Sequence, residues 1–130
     1  MIKFGYAILY VSDVLKSIEF YEKAFGFSRK FIAPGNEYGE LMTGEATLGF
    51  AAKTHAKKNL PKGFIESSME QLPFGIEIGF VTDDVDAVLK NAKQYSGIIV
   101  AEPQQKPWGQ TVCYLRDPDG FLVEVCTAMT

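Results

Sequence analysis

The chain has 130 residues, of which 47% are hydrophobic, 22% charged and 13% aromatic, a composition typical of a folded globular domain. This length supports one hydrophobic core and is short for two. The net charge of −3 comes with basic residues scattered along the chain, which argues against nucleic acid as a partner. Disordered, fibrous and nucleic-acid-binding classes are therefore disfavoured.

The two cysteines, Cys113 and Cys126, lie in strand-like segments and do not form a Cys-x-x-Cys pair. Buried reduced thiols are a better interpretation of them than a disulfide or a zinc site. The N-terminus lacks a basic segment followed by an apolar core, and no apolar stretch approaches the length of a membrane span. We therefore expect a cytoplasmic location and no membrane partner.

The first half of the chain predicts one strand, one helix and three further strands. Residues 4–11 are almost continuously apolar or aromatic, which indicates a strand. Asp13 then supplies a helix cap, apolar residues recur at spacings of three and four up to Phe25, and Gly26 ends the helix. Turn sequences separate three short strands, predicted at residues 27–32, 39–43 and 46–52.

The second half repeats this order of elements. Residues 74–81 predict a strand, and Asp84 caps a helix that stops near Gly97. Three strands follow, predicted at residues 98–101, 110–115 and 121–126. A duplication explains this pattern economically, although identity between the halves is low and unrelated segments of similar pattern are the alternative.

The segment between the halves is polar and lacks strong periodicity. We expect one domain over residues 1–130, with module one at 1–53, a linker at 54–73 and module two at 74–130. A helical turn is expected within residues 65–72. The basic residues Lys53, Lys57, Lys58 and Lys62 are interpreted as a solvated loop rather than an anion site.

Several motifs along the chain resemble the vicinal oxygen chelate superfamily, which includes glyoxalase I, extradiol dioxygenases, fosfomycin-resistance enzymes and bleomycin-resistance proteins. The motifs are YVSD at 10–13, SIEFY at 17–21, FGF at 25–27, VTDDV at 81–85, PWGQ at 107–110, LRDPDGF at 115–121 and VEV at 123–125. The resemblance implies an α+β fold in which two tandem βαβββ modules form a curled mixed sheet with a concave pocket. These motifs identify a scaffold, and a scaffold does not fix the chemistry.

Enzymes of this superfamily usually hold a divalent metal with four side chains, from the first and last strands of the two modules. In this sequence those positions fall at Tyr6, Gly49, Glu77 and Glu124. A protonated phenol is a poor metal ligand, and glycine has no side chain that could bind a metal. Only the two carboxylates therefore match the expected ligand types. The single histidine, His55, lies in the linker and is interpreted as a surface residue. We therefore expect no metal cofactor, with a weak divalent site at the two acids as the alternative.

Strand alternation places each of these two acids on the face opposite strongly apolar neighbours, so that both point into the concave side of the sheet. Three interpretations stay open for Glu77 and Glu124. In the first, the two acids are solvated or paired with basic side chains. In the second, they recognise a cationic or hydroxyl-bearing ligand, and in the third they form a weak metal site or an acid/base pair. Gly75 and Gly79 flank Glu77 on the same face and leave volume there.

Aromatic residues complete the predicted pocket. Alternation puts Tyr6, Ile8 and Tyr10 on the pocket side of the first strand, and Phe31 and Tyr38 are further candidates for its wall. The resemblance to the bleomycin-resistance branch implies that Trp108 stacks on a flat ligand ring, whereas packing in the core or at a subunit interface is the alternative.

We therefore predict a small-molecule binding protein of the glyoxalase/bleomycin-resistance type, which sequesters a planar or cationic compound without a metal. The predicted ligand-binding residues are Tyr6, Tyr38, Glu77, Trp108 and Glu124. No catalytic residue is assigned, and the family implies a homodimer. The alternatives are a metal-dependent glyoxalase-like lyase or dioxygenase that uses Glu77 and Glu124, and a regulatory or interaction module whose pocket is vestigial.

Overall fold

The computed structural model describes residues 1–129, which form an α+β fold of eight strands, three α-helices and one short 3-10 helix at Pro34–Asn36. In chain order the elements are β1 (Tyr6–Val11), α1 (Val14–Phe25), β2 (Ser28–Ile32), β3 (Tyr38–Met42), β4 (Thr47–Ala52), α2 (Lys53–Asn59), β5 (Glu77–Val81), α3 (Val85–Gln94), β6 (Ile98–Gln105), β7 (Thr111–Arg116) and β8 (Leu122–Cys126).

The eight strands form two mixed sheets with the same topology. The first sheet has the order β1-β4-β3-β2 and the second β5-β8-β7-β6. In each sheet the first pair is parallel and the other two pairs are antiparallel. The predicted fold class of two tandem βαβββ modules is therefore confirmed.

The chain divides into two compact units, one with residues 1–22 and 26–66, the other with residues 23–25 and the chain from Ser67 onward. The predicted single domain and its module boundaries stay a prediction.

In the first unit, α1 begins and ends where the sequence predicts. The Asp13 side chain accepts a hydrogen bond from the Lys16 backbone N–H at 3.1 Å, and Gly26 ends the helix at φ +77°. Ile18 and Tyr21 are fully buried, and the Tyr21 ring lies 5.2 Å from that of Phe50 on β4. The predicted apolar stripe thus forms the core of this unit.

The second unit follows the same physical rules. Asp84 caps α3 by accepting from the Ala87 backbone N–H at 3.0 Å. The helix buries Val85, Leu89 and Ala92, and on β8 Val123 and Val125 are fully buried. Cys113 and Cys126 are also buried and are free thiols, as predicted.

The region between the modules differs from the prediction. Lys53–Asn59 forms α2, and residues 65–72 contain no helix. Ala56 is the only buried residue of α2, so the segment has no apolar stripe that a sequence pattern could show. Its three lysines are paired rather than simply solvated. Glu66 lies 3.4 Å from Lys53 Nζ and 3.1 Å from Lys57 Nζ, and Glu37 Oε1 lies 3.9 Å from Lys58 Nζ.

Strand boundaries also differ, most of all in β6 and β5, while β1 begins at Tyr6 rather than at residue 4. β6 extends to Gln105, beyond the predicted 98–101, and contains irregular pairing with β7 that breaks the pattern of alternation. β5 begins at Glu77 rather than at residue 74, and Ile76, which was expected on the apolar face, is 67% exposed. Within residues 1–129, no helix combines the length and apolar character needed to cross a membrane.

Candidate functional site

Each sheet has one face covered by buried apolar side chains and an opposite face that we call its open face. On β1, Leu9 and Val11 are buried, whereas Tyr6 is 59% exposed and Ile8 37% exposed. The predicted alternation of this strand is therefore correct. Pairing of β1 with β4 and of β4 with β3 places Ile8, Gly49 and Glu40 side by side on the open face of the first sheet.

The open face of the first sheet carries a phenol–carboxylate hydrogen bond. The Tyr38 hydroxyl donates to Glu40 Oε2 at 2.7 Å. Burial raises the pKa of Tyr38, and its hydrogen bond to Glu40 and the charge of that carboxylate raise it further. Tyr6 also lies close enough to interact electrostatically with Tyr38. The two residues predicted from the first half of the chain, Tyr6 and Tyr38, thus share one face of one sheet.

The open face of the second sheet carries both predicted acids. Glu124 on β8 pairs with Gly79 on β5 and with Tyr114 on β7, so all three residues face the same side. Glu77 lies two residues before Gly79 on that same side. A Cβ placed on Gly79 would meet nothing within 4 Å, so there is open space beside the acids.

Glu77, which is exposed, and Glu124 are diagonal neighbours on paired strands, close enough for their charges to interact. Desolvation, then the charge of Glu124, then the hydrogen bond between them, raises the pKa of Glu77 above its ordinary value. A hydrogen bond between two carboxyl groups requires a proton on one of them. This pair is therefore built to hold either a proton or another positive charge.

Two further groups surround Glu124. The Tyr114 hydroxyl donates to Glu124 Oε1 at 3.0 Å, and this bond, with burial, raises the pKa of Tyr114 to about 12. Burial, followed by a hydrogen bond to Glu124, raises the pKa of the Cys126 thiol to about 11. Both groups therefore stay protonated near neutral pH and do not add negative charge to the site.

Trp108 is connected to the acids through its neighbours. The indole Nε1–H donates to Gln110 Oε1 at 2.8 Å, and Gln110 Nε2 donates to the Thr127 carbonyl oxygen at 2.9 Å. The Cys126 thiol donates to the Phe80 carbonyl oxygen at 3.6 Å, and both Gln110 and Glu124 lie close enough to influence its pKa. Because Trp108 is 60% exposed, its alternative interpretation as a core residue is wrong.

The predicted site residues thus fall into two groups, each within one unit. Glu77, Trp108 and Glu124 belong to the second unit, and Tyr6 and Tyr38 belong to the first. The prediction missed several residues that touch them, namely Glu40, Gln110, Tyr114 and Cys126. Alternation along β3 was the available signal for Glu40, because it puts this residue on the same face as Tyr38.

The donors at these positions fit a complete metal centre poorly. Within residues 1–129, no group of three or more His, Cys, Asp or Glu side chains is arranged to hold a metal ion. His55 lies on α2, where its Nδ1 is 3.4 Å from Glu37 Oε2. Two carboxylates are fewer protein ligands than zinc sites use. The expected absence of a metal cofactor stays a prediction, and no chemical step is derived through one.

The raised pKa of Glu77 gives a testable effect on stability. Because the folded state binds this proton more tightly than the unfolded state, the associated stabilisation is complete at low pH and is lost as pH rises from 4.5 through the raised pKa. We expect Glu77→Gln to gain stability relative to the parent protein between pH 4.5 and 7. Urea unfolding across this pH range measures the difference, with Glu45→Gln, an exposed acid in the turn before β4, as the control. A difference that is independent of pH would contradict the assignment.

Comparison with known proteins agrees with the fold. The family model described as a glyoxalase-like domain matches residues 4–130. The chain is 30% identical over 122 residues to a probable lactoylglutathione lyase of Vibrio cholerae, covering 92% of this chain and 86% of that one. It is 29% identical over 128 residues to a lactoylglutathione lyase of Arabidopsis thaliana, of which it spans 43%.

A solved structure shows the same fold. The crystal structure of a glyoxalase-related enzyme from Fulvimarina pelagi superimposes with a TM-score of 0.83 at 18% identity, covering 98% of this chain and 89% of that one. The tandem modules therefore define a vicinal oxygen chelate fold. The chain belongs to the glyoxalase-like domain family.

Proposed function

We propose that this protein binds a small planar cation on the open face of the second sheet, without a metal and without catalysing its turnover. The observation that carries this proposal is the carboxyl pair of Glu77 and Glu124, which share the open face on paired strands. Desolvation and the charge of Glu124 raise the pKa of Glu77. The neighbouring Tyr114 and Cys126 are neutral near pH 7. The acids therefore supply the negative charge of this cluster.

A cationic ligand relieves the unfavourable electrostatics of this pair. In the free protein below the raised pKa of Glu77, a proton on this group reduces the repulsion between the carboxyl groups. An ammonium or amidinium group provides the positive charge instead and donates charge-assisted hydrogen bonds to both acids. Tyr114 keeps Glu124 Oε1 occupied through its 3.0 Å bond, which fixes the orientation of this carboxylate. Binding is thus an exchange of a proton for a cation.

The rest of the ligand is planar in this proposal because Trp108 offers an exposed ring held by one hydrogen bond. The 2.8 Å bond from its indole N–H to Gln110 restricts the side chain before a ligand arrives. A preorganised aromatic ring stacks on a flat ligand with little loss of conformational freedom. Tyr6 and Tyr38 are proposed to contact ligand on the first sheet.

The proposed setting of this function is a cytoplasmic homodimer. The two buried free thiols support a reducing compartment. The family resemblance supports the dimer, and light scattering of the purified protein measures it.

Titration with the planar aryl diamidine DAPI tests the proposal, with phenylindole, the same ring system without amidinium groups, as the matched neutral ligand. Calorimetry in buffers of different ionisation heat measures proton exchange. We expect DAPI to bind more tightly as pH rises through the raised pKa of Glu77, with net release of a proton below that value. We expect phenylindole to bind more weakly and without this pH dependence.

Glu124→Gln is the variant that tests the anchor. It keeps a hydrogen-bond acceptor for Tyr114 and removes the charge of Glu124, so we expect DAPI affinity to fall about tenfold and proton release to decrease. Equal binding of DAPI and phenylindole by the parent protein, or unchanged proton release in the variant, would contradict the proposal.

A glyoxalase-like lyase is the second candidate function, because two curated relatives carry the name lactoylglutathione lyase. In this candidate Glu77 and Glu124 act as ligands of a divalent metal or as an acid/base pair. Metal analysis of protein purified without chelator separates the candidates. Stoichiometric metal that is lost in Glu124→Gln would favour the enzyme over the binding protein.

A further inference from the structure

The open faces of both sheets present the same pair of groups at their centres, built from different residues. In the second sheet the hydroxyl of Tyr114 donates to Glu124 at 3.0 Å. In the first sheet the hydroxyl of Tyr38 donates to Glu40 at 2.7 Å. Glu124 lies on the fourth strand of its module, whereas Glu40 lies on the third strand of its own.

Strand register shows that the two carboxylates occupy neighbouring positions in equivalent frameworks. Gly49 pairs with Ile8 and Glu40, just as Glu124 pairs with Gly79 and Tyr114. Gly49 is therefore the topological equivalent of Glu124. The first module has glycine at this position and a carboxylate directly beside it, on the adjacent strand.

Gly49 also makes room for the phenol. A Cβ at this residue would lie 2.6 Å from the Tyr38 hydroxyl oxygen and 3.3 Å from Ile8 Cγ1, so any larger residue displaces Tyr38. The absence of a side chain at Gly49 lets the hydroxyl lie over the strand and reach Glu40. The glycine and the Tyr38–Glu40 pair thus form one arrangement.

A β-bulge directs two more side chains to this place. The pairing of β2 with β3 shifts between Arg29 and Phe31, which leaves Lys30 as the extra residue. Lys30 Nζ lies 3.5 Å from Glu40 Oε1, and the Phe31 ring centroid lies 6.0 Å from that of Tyr38. The bulge thus places Lys30 against Glu40 and Phe31 beside Tyr38.

We propose that Tyr38 and Glu40 form a second recognition site, on the first sheet, for an aryl cation such as an amidinium, with Glu40 as its anchor. This inference rests on the proposed function for the class of ligand, and it assigns that ligand to a different unit. Tyr38 holds Glu40 Oε2, and Oε1 accepts from the ligand. The exposed side chains of Phe31 (41%) and Tyr6 (59%) flank the aromatic ring of the ligand.

In the free protein Lys30 occupies the position of the ligand cation. Its side chain is 55% exposed while that of Glu40 is 14% exposed, so the lysine contributes a weak ion pair and can move into solvent. An aryl amidinium donates a charge-assisted hydrogen bond to the carboxylate and adds an aromatic ring that contacts the neighbouring aromatic side chains, which the lysine ammonium lacks. The ligand therefore displaces Lys30 from Glu40 Oε1.

The test is a nuclear magnetic resonance titration with benzamidine, using benzamide as the neutral isostere. Backbone amide shifts report separately on β3 and β4 of the first sheet and on β7 and β8 of the second. We expect benzamidine, but not benzamide, to shift amides around Glu40 and Gly49. Glu40→Gln is expected to weaken that response about tenfold, and Tyr38→Phe to weaken it about threefold. Glu37→Gln, an exposed acid of the same unit, is expected to leave it unchanged.

A purely structural role for Glu40 makes a different prediction for Lys30→Met. Removing the competing ammonium is expected to strengthen benzamidine binding at the first sheet about threefold, whereas loss of a structural ion pair gives no gain. The inference is overturned if β3 and β4 do not respond to benzamidine in the parent protein, or if Glu40→Gln remains folded and binds equally well. Should Glu40→Gln fail to unfold cooperatively, Lys30→Met and Tyr38→Phe decide the question.

The two proposals fail separately. If benzamidine shifts the amides around Glu40 but not those around Glu124, the proposed function of the second sheet is contradicted. The reverse result contradicts the inference for the first sheet. A response in neither sheet contradicts both.

Discussion

Replacing Trp108 with alanine is expected to weaken DAPI binding about thirtyfold while leaving unfolding cooperative. Stacking of a cationic aromatic ligand on an indole contributes about 2 kcal/mol, which corresponds to this loss of affinity. The fold tolerates the change because Trp108 is 60% exposed and lies outside the strands. Fluorescence titration of DAPI measures affinity, and urea unfolding measures stability.

Two control variants separate stacking from other effects. Trp108→Phe keeps an aromatic ring and removes the N–H that bonds to Gln110 at 2.8 Å, so an intermediate loss of about threefold is expected. Tyr95→Ala removes a partly exposed ring elsewhere in the same unit and is expected to bind DAPI as the parent protein does. Equal affinity of Trp108→Ala and the parent protein would place the planar part of the ligand elsewhere.

Family membership identifies the scaffold of this protein, whereas the residues of the site determine its chemistry. The capping acids, the glycine at the end of α1 and the tandem topology are scaffold features, and relatives with this scaffold include proteins named as lyases. The chemistry depends on the residues at a few positions of the open faces. At the positions where the resemblance predicts metal ligands in the first module, Tyr6 and Gly49 offer neither an imidazole nor a carboxylate.

The fold was predictable because its local signals agree with one another. Asp13 and Asp84 each cap a helix, and the apolar stripes behind them form the cores of their units. α2 was missed because a seven-residue helix with a single buried residue, Ala56, has no periodicity to detect. The full length of β6 was missed because irregular pairing interrupts its alternation.

The candidate site was predictable in part. Alternation correctly placed Tyr6 and Glu124, because each lies in a short regular strand with buried neighbours on the other face. The link from Trp108 to Gln110 depends on side-chain rotamers, which no spacing reveals. Glu40 was missed because its importance comes from pairing with Gly49 across two strands, and the sequence shows strands without their register.

Gly120→Ala is expected to cost about 3 kcal/mol of unfolding free energy, combining backbone strain with the loss of buried hydrogen bonds. Gly120 has φ +93°, and an added Cβ would lie 2.8 Å from the Ser68 carbonyl carbon and 2.9 Å from Arg116 Nη2. Arg116 is buried and donates to the carbonyl oxygens of Gly120 and Ser68, each at 2.9 Å. The methyl group therefore disrupts the contact by which Arg116 holds Ser68 against the turn before β8.

Urea unfolding measures this cost, with an expected fall in midpoint of about 1.5 M for a slope of about 2 kcal/mol per M. Gly109→Ala is the matched control, because Gly109 has a similar φ of +98° and an added Cβ there would meet nothing within 4 Å. Strain alone acts in this control, so we expect a loss of about 1 kcal/mol. The difference between the two variants isolates the contribution of the Arg116 and Ser68 contacts, and equal losses would show that backbone strain accounts for both.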